Sequence, residues 1–261
     1  MNYSIVLDIM YLKFGPTGPV WPDTELLMEA MDFVKENRFD AVEFWDWHTR
    51  DIKALKEKLD ANGQTLVSIC CKDRQIFGDP DARDTLIDNF RQTVEAAHYL
   101  GCKNIIIANP ACKEGMSFED TRAEVVAALK ELAPIAESGD VTIILEPVSG
   151  GAFFKDSALP FAILDEVGSP NVKLLYDCYH YQAMEGNICN TIKNNLDKIG
   201  HIHIAGCPMR CELGVGELDC RYVLNYIKEL GYTGYVGVEF PTRQDREGQV
   251  ARSRALLNEI A

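Results

Sequence analysis

Short apolar runs alternate along the chain with longer amphipathic stretches. The runs are Ser4–Ile9, Ala41–Trp45, Thr65–Cys71, Asn104–Ala108, Val141–Glu146, Val172–Asp177, His201–Ala205 and Tyr235–Phe240. Most are nearly continuous in apolar residues, the pattern of strands covered on both faces. The stretches between them carry helix signals. Pro22-Asp23-Thr24-Glu25 opens one helix, Asp81 precedes a long one ending at Leu100-Gly101, and Ser117-Phe118-Glu119-Asp120 has the form of a capping box. Gly63, Gly101, Gly168 and Gly231 stand where helices stop. No Ser/Gly/Pro-rich linker interrupts the rhythm. Eight β/α units without a break predict an α/β fold, a single (β/α)8 barrel over residues 1–261 as one domain. An open doubly wound sheet would place a glycine-rich turn after the first strand. Gly15-Pro16-Thr17-Gly18 is too short for that turn and carries a proline.

Composition narrows the picture. The chain has 261 residues, 47% of them hydrophobic, enough for one large core. No segment approaches ~18 consecutive apolar residues, so no membrane span is expected. Met1-Asn2-Tyr3-Ser4 lacks the features of a secretory signal, and a cytoplasmic location is expected. The nine cysteines are odd in number and form no paired C-x-x-C motifs. Cys70, Cys71, Cys102 and Cys178 lie in or beside apolar runs, where cysteine packs as a small hydrophobe, so free thiols are expected. A net charge of −14, with basic residues scattered among acidic ones, opposes nucleic-acid binding. An anionic small substrate would need positive charge concentrated at its site. The sequence leaves homo-oligomerisation open.

The chemistry gathers where the later strands end, the face of such a barrel that carries catalytic groups. Strand five ends Leu145-Glu146-Pro147, strand six Tyr176-Asp177, strand seven His201-Ile202-His203-Ile204-Ala205 and strand eight Val238-Glu239-Phe240. Any one of these could be a cap, a rim salt bridge or a core histidine. Three carboxylates converging on consecutive strands would repel one another unless a cation stood between them. Glu146, Asp177, His203 and Glu239 are therefore the candidate ligands of one divalent metal ion. Three oxygens and one imidazole suit Mn, Mg or Co better than a closed structural zinc site. His201, two residues before His203, shares its side of the strand but lies deeper, and is expected as a hydrogen-bonded core residue.

The pieces Ile144-Leu145-Glu146-Pro147, Tyr176-Asp177-Cys178-Tyr179-His180, Gly186-Asn187, His201-Ile202-His203-Ile204-Ala205-Gly206, Gly216-Glu217-Leu218 and Gly231–Glu239 resemble the hydroxypyruvate isomerase family. That family belongs to the xylose isomerase-like TIM barrels, with the ketose 3-epimerases and endonuclease IV. The likeness is continuous over the second half and extends more weakly through Phe39–Phe44. It implies that Glu146 and Glu239 are both metal ligands and the catalytic acid–base pair, with Asp177 and His203 completing the metal site. It further implies that His180 and Arg210 contact substrate oxygens and that Glu217 lies near the metal or just behind its ligands. Three places depart from the family pattern. His203 stands where these isomerases often carry glutamine and the ketose 3-epimerases carry histidine; Cys211-Glu212-Leu213 follows Arg210 in place of His-Glu-Pro; and Phe240-Pro241-Thr242 lacks a lysine often found after the last glutamate.

A small 2-keto-3-hydroxy acid would pass through an enediolate, its charge stabilised by the metal, while two glutamates move protons between adjacent carbons. Arg210 is the candidate for the substrate carboxylate, against a rim pairing with Glu212 or Glu217. Glu43, ending strand two, is a lesser substrate-binding candidate, equally a structural salt bridge. The aromatic cluster Phe44-Trp45-Asp46-Trp47-His48, with Phe14 and Phe77, offers either pocket walls or packing under loops. The competing expectation is a ketose 3-epimerase using the same metal site. A nuclease of the endonuclease IV type would need more zinc ligands than five histidines allow here, and a basic groove. A catalytically silent sugar-binding barrel would not require both glutamates.

Overall fold

The structure, a computed structural model, describes residues 1–16, 18–243 and 245–260. Eight parallel staves form the sheet: β1 (Asn2–Val6), β2 (Ala41–Glu43), β3 (Thr65–Leu66 and Ser68–Cys70), β4 (Asn104–Ile107), β5 (Thr142–Leu145), β6 (Val172–Asp177), β7 (Ile199–Ile204) and β8 (Tyr235–Val238). Each pairs in parallel with its neighbours, and β1 pairs with both β2 and β8. The third stave is split at Val67. Its first half pairs with β2 and its second with β4, so the ring closes through the continuous chain. The predicted (β/α)8 barrel is the observed fold.

The helices that cover it are α1 (Thr24–Glu36), α2 (Ile52–Asn62), α3 (Arg83–Leu100), α4 (Phe118–Ser138), α5 (Ala158–Val167), α6 (Ile188–Asn195), α7 (Cys220–Glu229) and α8 (Arg246–Ile260). Their ends follow the local signals. The Asp23 carboxylate accepts from Leu26 N at 2.9 Å to start α1, and Gly101, at φ 76°, stops α3 in the left-handed region. Ser117 Oγ accepts from Asp120 N at 3.0 Å. Its hydroxyl also donates to Asp120 Oδ2 at 2.8 Å, so Asp120 closes this cap on the serine side chain instead of on its backbone. Gly15 and Gly18 face each other in a short antiparallel hairpin of Lys13–Gly15 and Gly18–Val20, and Thr17 between them lies outside the described residues.

Strand alternation sorts the barrel into two cores. Ile105, Ile143, Leu174, Ile202 and Val236 join the large apolar layer beneath the helices. Cys70, Ile106, Ile144 and Leu175 form a separate inner cluster, and Trp45 packs over it. Beside that cluster the barrel interior holds a polar group: Ser4, Glu43, Ser68, His201 and His203 are all buried. All nine cysteines are free thiols, and no helix among the described residues is long and apolar enough to cross a membrane.

One buried ion pair ties the first two strand-end loops together. The Asp8 carboxylate is ion-paired with Arg50 and also accepts from Trp45 N at 2.7 Å. Arg50 Nε and Nη2 donate to Pro22 O at 3.1 and 2.9 Å. This pair fixes Trp45 where it covers the inner cluster. Replacing Arg50 with Met is expected to lower stability by about 3–5 kcal/mol, because it strands the Asp8 charge in the interior. Urea unfolding reads this directly, and Asp8→Asn in the same chain should recover most of the loss. An unchanged midpoint in the single variant would show that the pair does not hold these loops.

Candidate active site

The end of each of four consecutive strands delivers one side chain to the same point. Asp177 closes β6 and His203 is the penultimate residue of β7, opposite Asp177 in register and opposite Gly237 on its other side. Glu146 and Glu239 directly follow β5 and β8. Their amides extend the ladder by donating to Ile107 O at 2.8 Å and Ile204 O at 3.1 Å. One ligand atom from each of Glu146, Asp177, His203 and Glu239 lies within 4.8 Å of the others, and all four residues are buried.

The contacts inside this cluster show what it fits. His203 Nδ1 lies 2.6 Å from Glu239 Oε2 and 3.9 Å from Glu146 Oε1. Yet neither Nδ1 nor Oε2 has a hydrogen-bond partner of acceptable geometry among the described residues. Buried polar atoms are rarely left in this state. Lone-pair atoms that converge without bonding one another suit a shared cation, and a set of three carboxylates and one imidazole suits a divalent one. The residues fit the metal. The carboxylates themselves are electrically unequal. Burial, and then the neighbouring Glu239 charge, push the Glu146 pKa up. Burial works the same way on Glu239, but Arg210 and His203 outweigh it and hold that carboxyl below the usual range. Glu146 makes no side-chain hydrogen bond among the described residues, and its side chain is the most open of the three carboxylates, 11% exposed against 3% and 1%.

The remaining residues fall around this centre unequally. His180 sits in the first turn after β6, in the short helix Cys178–Met184, with Nε2 3.4 Å from Asp177 Oδ2. Its Nδ1 accepts from Ser149 N at 3.2 Å, so the neutral ring carries its proton on Nε2, facing the cluster. Burial lowers the pKa of His180 and favours that neutral form. Arg210 is neither at the rim nor paired with Glu212 or Glu217. Its Nη2 donates to Asp177 Oδ2 at 3.1 Å and reaches Glu239 Oε1 at 2.8 Å, while its guanidinium lies 5.1 Å from the Tyr179 ring centroid. Its Nε is buried without a partner. Glu212 is bound instead by Arg252 and Gln249.

The loop that presents Arg210 is tightly folded. Gly206 and Cys211 exchange backbone hydrogen bonds at 2.9 and 3.1 Å, and Glu217 N donates to Cys207 O at 2.7 Å. A Cβ on Gly216 would stand 2.1 Å from Cys207 O. Arg210 itself is held at φ 44°, a left-handed conformation that a side chain adopts only under constraint.

Two expected residues lie elsewhere. Glu217 is exposed on that loop, with Oε1 4.0 Å from Cys207 Sγ, and is not part of the four-residue cluster. Glu43 is completely buried on the far side of the His203 ring, bonded to His201 and His203. Its oxygens face the barrel interior and not the mouth. His201 lies one layer down, as its spacing predicts. Phe77 is fully buried and Phe14 is 82% exposed. A second cation at the mouth, Arg74, escaped the sequence reading. It follows β3 in a short 3-10 turn, donates to Asp46 Oδ1 at 2.8 Å, lies 5.8 Å from the Trp45 ring centroid and is close enough to Glu146 for their charges to interact. Its signal, an arginine in the loop after an apolar strand, is too common to single out.

Comparison with known proteins accords with this geometry. Residues 31–260 match the family model of the xylose isomerase-like TIM barrel. The chain is 31% identical over 220 residues to the hydroxypyruvate isomerase of Escherichia coli (strain K12), covering 80% of this chain and 85% of that one. It is also 31% identical over 216 residues to the 2-oxo-tetronate isomerase of Cupriavidus necator, covering 78% and 83%. Among solved structures, an AP endonuclease, family 2, from Brucella melitensis superposes with a TM-score of 0.85 at 22% identity, covering 97% of this chain and 98% of that one. An L-ribulose 3-epimerase superposes with a TM-score of 0.81 at 19% identity, covering 99% and 94%. At those identities the two structures attest the fold alone. The family-model match and the two sequence relatives place this chain in the hydroxypyruvate isomerase family of the xylose isomerase-like TIM barrels, as an enzyme of the isomerase type.

Proposed function

We propose that the protein interconverts a small 2-keto-3-hydroxy acid and its isomer, of the hydroxypyruvate/tartronate semialdehyde or 2-oxo-tetronate type, through an enediolate. The observation that carries this reading is the placement of Glu146 and Glu239. They flank the two strands bearing Asp177 and His203, with the unpartnered His203 Nδ1 and Glu239 Oε2 between. The names of the two sequence relatives supply the substrate class.

Glu146, Asp177, His203 and Glu239 would hold one divalent ion, with Mn, Mg or Co the better fits. When bound, such an ion supplies Lewis-acid stabilisation of the negative charge that develops on two adjacent substrate oxygens. The chain's own groups move the protons. With hydroxypyruvate, a carboxylate takes a proton from C3, an acid returns one to C2, and the C3 hydroxyl proton passes to the C2 oxygen, giving tartronate semialdehyde. Glu146 and Glu239, on opposite flanks, are the two carriers: one takes the proton from C3, the other delivers a second proton to C2, and the roles exchange in reverse. His180 donates from Nε2 to a substrate oxygen, and Ser149 keeps it in that tautomer. Arg210 retains its unpartnered Nε after bonding Asp177 and Glu239, and with it draws the substrate carboxylate toward the centre.

A panel of hydroxypyruvate, 2-oxo-tetronates and free ketoses, assayed with Mn2+, Mg2+ or Co2+, tests the reading. Turnover of an acid substrate is the expected result. Turnover of ketoses alone would replace it with a ketose 3-epimerase, the alternative that His203, in place of glutamine, favours. Glu146→Gln and Glu239→Gln are each expected to reduce kcat by at least about 10²–10⁴-fold, since each removes a proton carrier. Full activity in either variant would remove that residue from the pair. Arg210→Ala is expected to raise KM for acid substrates well beyond its effect on neutral ones. Equal effects on both classes would show that Arg210 acts only through Asp177 and Glu239.

A further inference from the structure

The polar half of the barrel interior contains an arrangement that the proposed chemistry does not use. Glu43 is fully buried, and its carboxylate has four neighbours. Ser4 Oγ donates to Oε1 at 2.6 Å, and Ser68 Oγ donates to Oε2. His201 Nε2 lies 3.0 Å from Oε1 and 3.1 Å from Oε2, and His203 Nε2 lies 3.1 Å from Oε2. A carboxylate offers about four acceptor positions and no donor. Two hydroxyls and two ring nitrogens fill them, so both imidazoles must present N–H from Nε2. In the neutral ring that a metal ion requires, this leaves the His203 lone pair on Nδ1, and Nδ1 is the atom that faces Glu146 and Glu239.

We infer that Glu43 is a positioning residue: with Ser4, Ser68 and His201 it forms a buried clamp that locks His203 in the Nε2–H tautomer and aims Nδ1 at the cation. This rests on the reading of Glu146, Asp177, His203 and Glu239 as a metal centre, and it extends that centre inward by one layer. Gly237 shows that the backbone is shaped around the clamp. A Cβ at that position would stand 2.3 Å from Glu43 Oε1 and 2.7 Å from His203 Cδ2, so β8 can pass the pair only as glycine. The alternative role for these side chains is a second ion held by Glu43, His201 and His203, whose ligand atoms also lie within 4.8 Å of one another. The clamp reading is favoured because the Glu43 oxygens already have hydrogen-bond partners without any ion. An outer partner that sets the ring of a metal-bound histidine is worth about 10–100-fold in metal affinity.

The test reads binding and spectra, not turnover. Protein labelled with 15N in its five histidines is titrated with Zn2+, a diamagnetic probe. Long-range 1H–15N correlation should show His203, assigned with His203→Asn, protonated at Nε2 and ligated through Nδ1. Ligation through Nε2 would overturn the proposal whatever the Glu43 variant does. Glu43→Gln places an amide N–H against at least one ring N–H. Its affinity for Mn2+, measured by chelator competition, is expected to fall about 10–100-fold, with a smaller fall for Ser68→Ala, which leaves both ring contacts in place. Unchanged affinity in Glu43→Gln would overturn the positioning role while leaving the metal centre intact. Two tight ions per chain in the wild type would overturn it in favour of a second site. No tight ion at all would overturn it together with the metal reading, a result distinct from either of the others.

Discussion

The site is governed by the cost of bringing like charges together in a dry place. Glu146, Asp177 and Glu239 are buried, with ligand atoms no more than 4.8 Å apart. At an effective dielectric of ~20, two unit charges at that separation repel by about 3–4 kcal/mol. The chain answers in two ways. Arg210 lays one nitrogen between Asp177 and Glu239, which secures that side of the triangle. Glu146 receives no such partner, and its raised pKa expresses the deficit. The geometry thus leaves room for one more positive charge, next to the carboxylate that has no side-chain hydrogen bond among the described residues. The same arrangement makes two glutamates that look alike in sequence electrically unequal.

Two further features follow from that constraint. A barrel of this kind is usually filled by layers of branched apolar side chains, and here only Cys70, Ile106, Ile144 and Leu175 form such a cluster. The opposite half is given to Ser4, Glu43, Ser68, His201 and His203. A polar interior is tolerable when each member is satisfied, and the Glu43 contacts meet that condition. Glycine at 237 takes a packing position so that His203 and Glu43 can meet. The mouth shows the same economy of space. The loop carrying Arg210 is held by close backbone contacts at Gly206 and Gly216, and the strain at Arg210 is local to the residue that must reach inward.

Much of this could be read along the chain because the determinants are local. Continuous apolar runs mark strands whose two faces are both covered, and Asp23, Ser117 and Gly101 mark helix ends through bonds spanning only a few residues. Glu146, Asp177, His203 and Glu239 were legible as a set because each breaks an apolar run at the same end. Glu43 breaks one too, and nothing along the chain distinguishes it. Its position behind His203 depends on how β2 is staggered against β1 and β7, which linear order does not encode. Arg210 was placed near the site by resemblance, but its bonds to Asp177 and Glu239 depend on the folded path of residues 206–217. Arg74 had no distinguishing pattern at all. It became visible only when the fold set it beside Trp45, Asp46 and Glu146.

The division between inner clamp and outer mouth bears on how substrate choice can vary in such a barrel. His203 is held from below by Glu43 and meets the four-residue cluster with a single nitrogen, so the cluster's geometry is set by the strands and not by the loops around the mouth. In the proposed reaction the substrate's far end is met by Arg210 after β7 and His180 in the short helix after β6, while Arg74 lies against Trp45 after β3. Arg210 is anchored to two ligand carboxylates, whereas Arg74 is anchored to Asp46, outside the metal centre. A change at Arg210 therefore disturbs both recognition and the electrostatics of the centre, while the Arg74 wall can alter without touching either glutamate. The Arg74–Asp46 pair thus stands outside the hydrogen bonds of the four-residue cluster, whereas Arg210 is part of its charge balance.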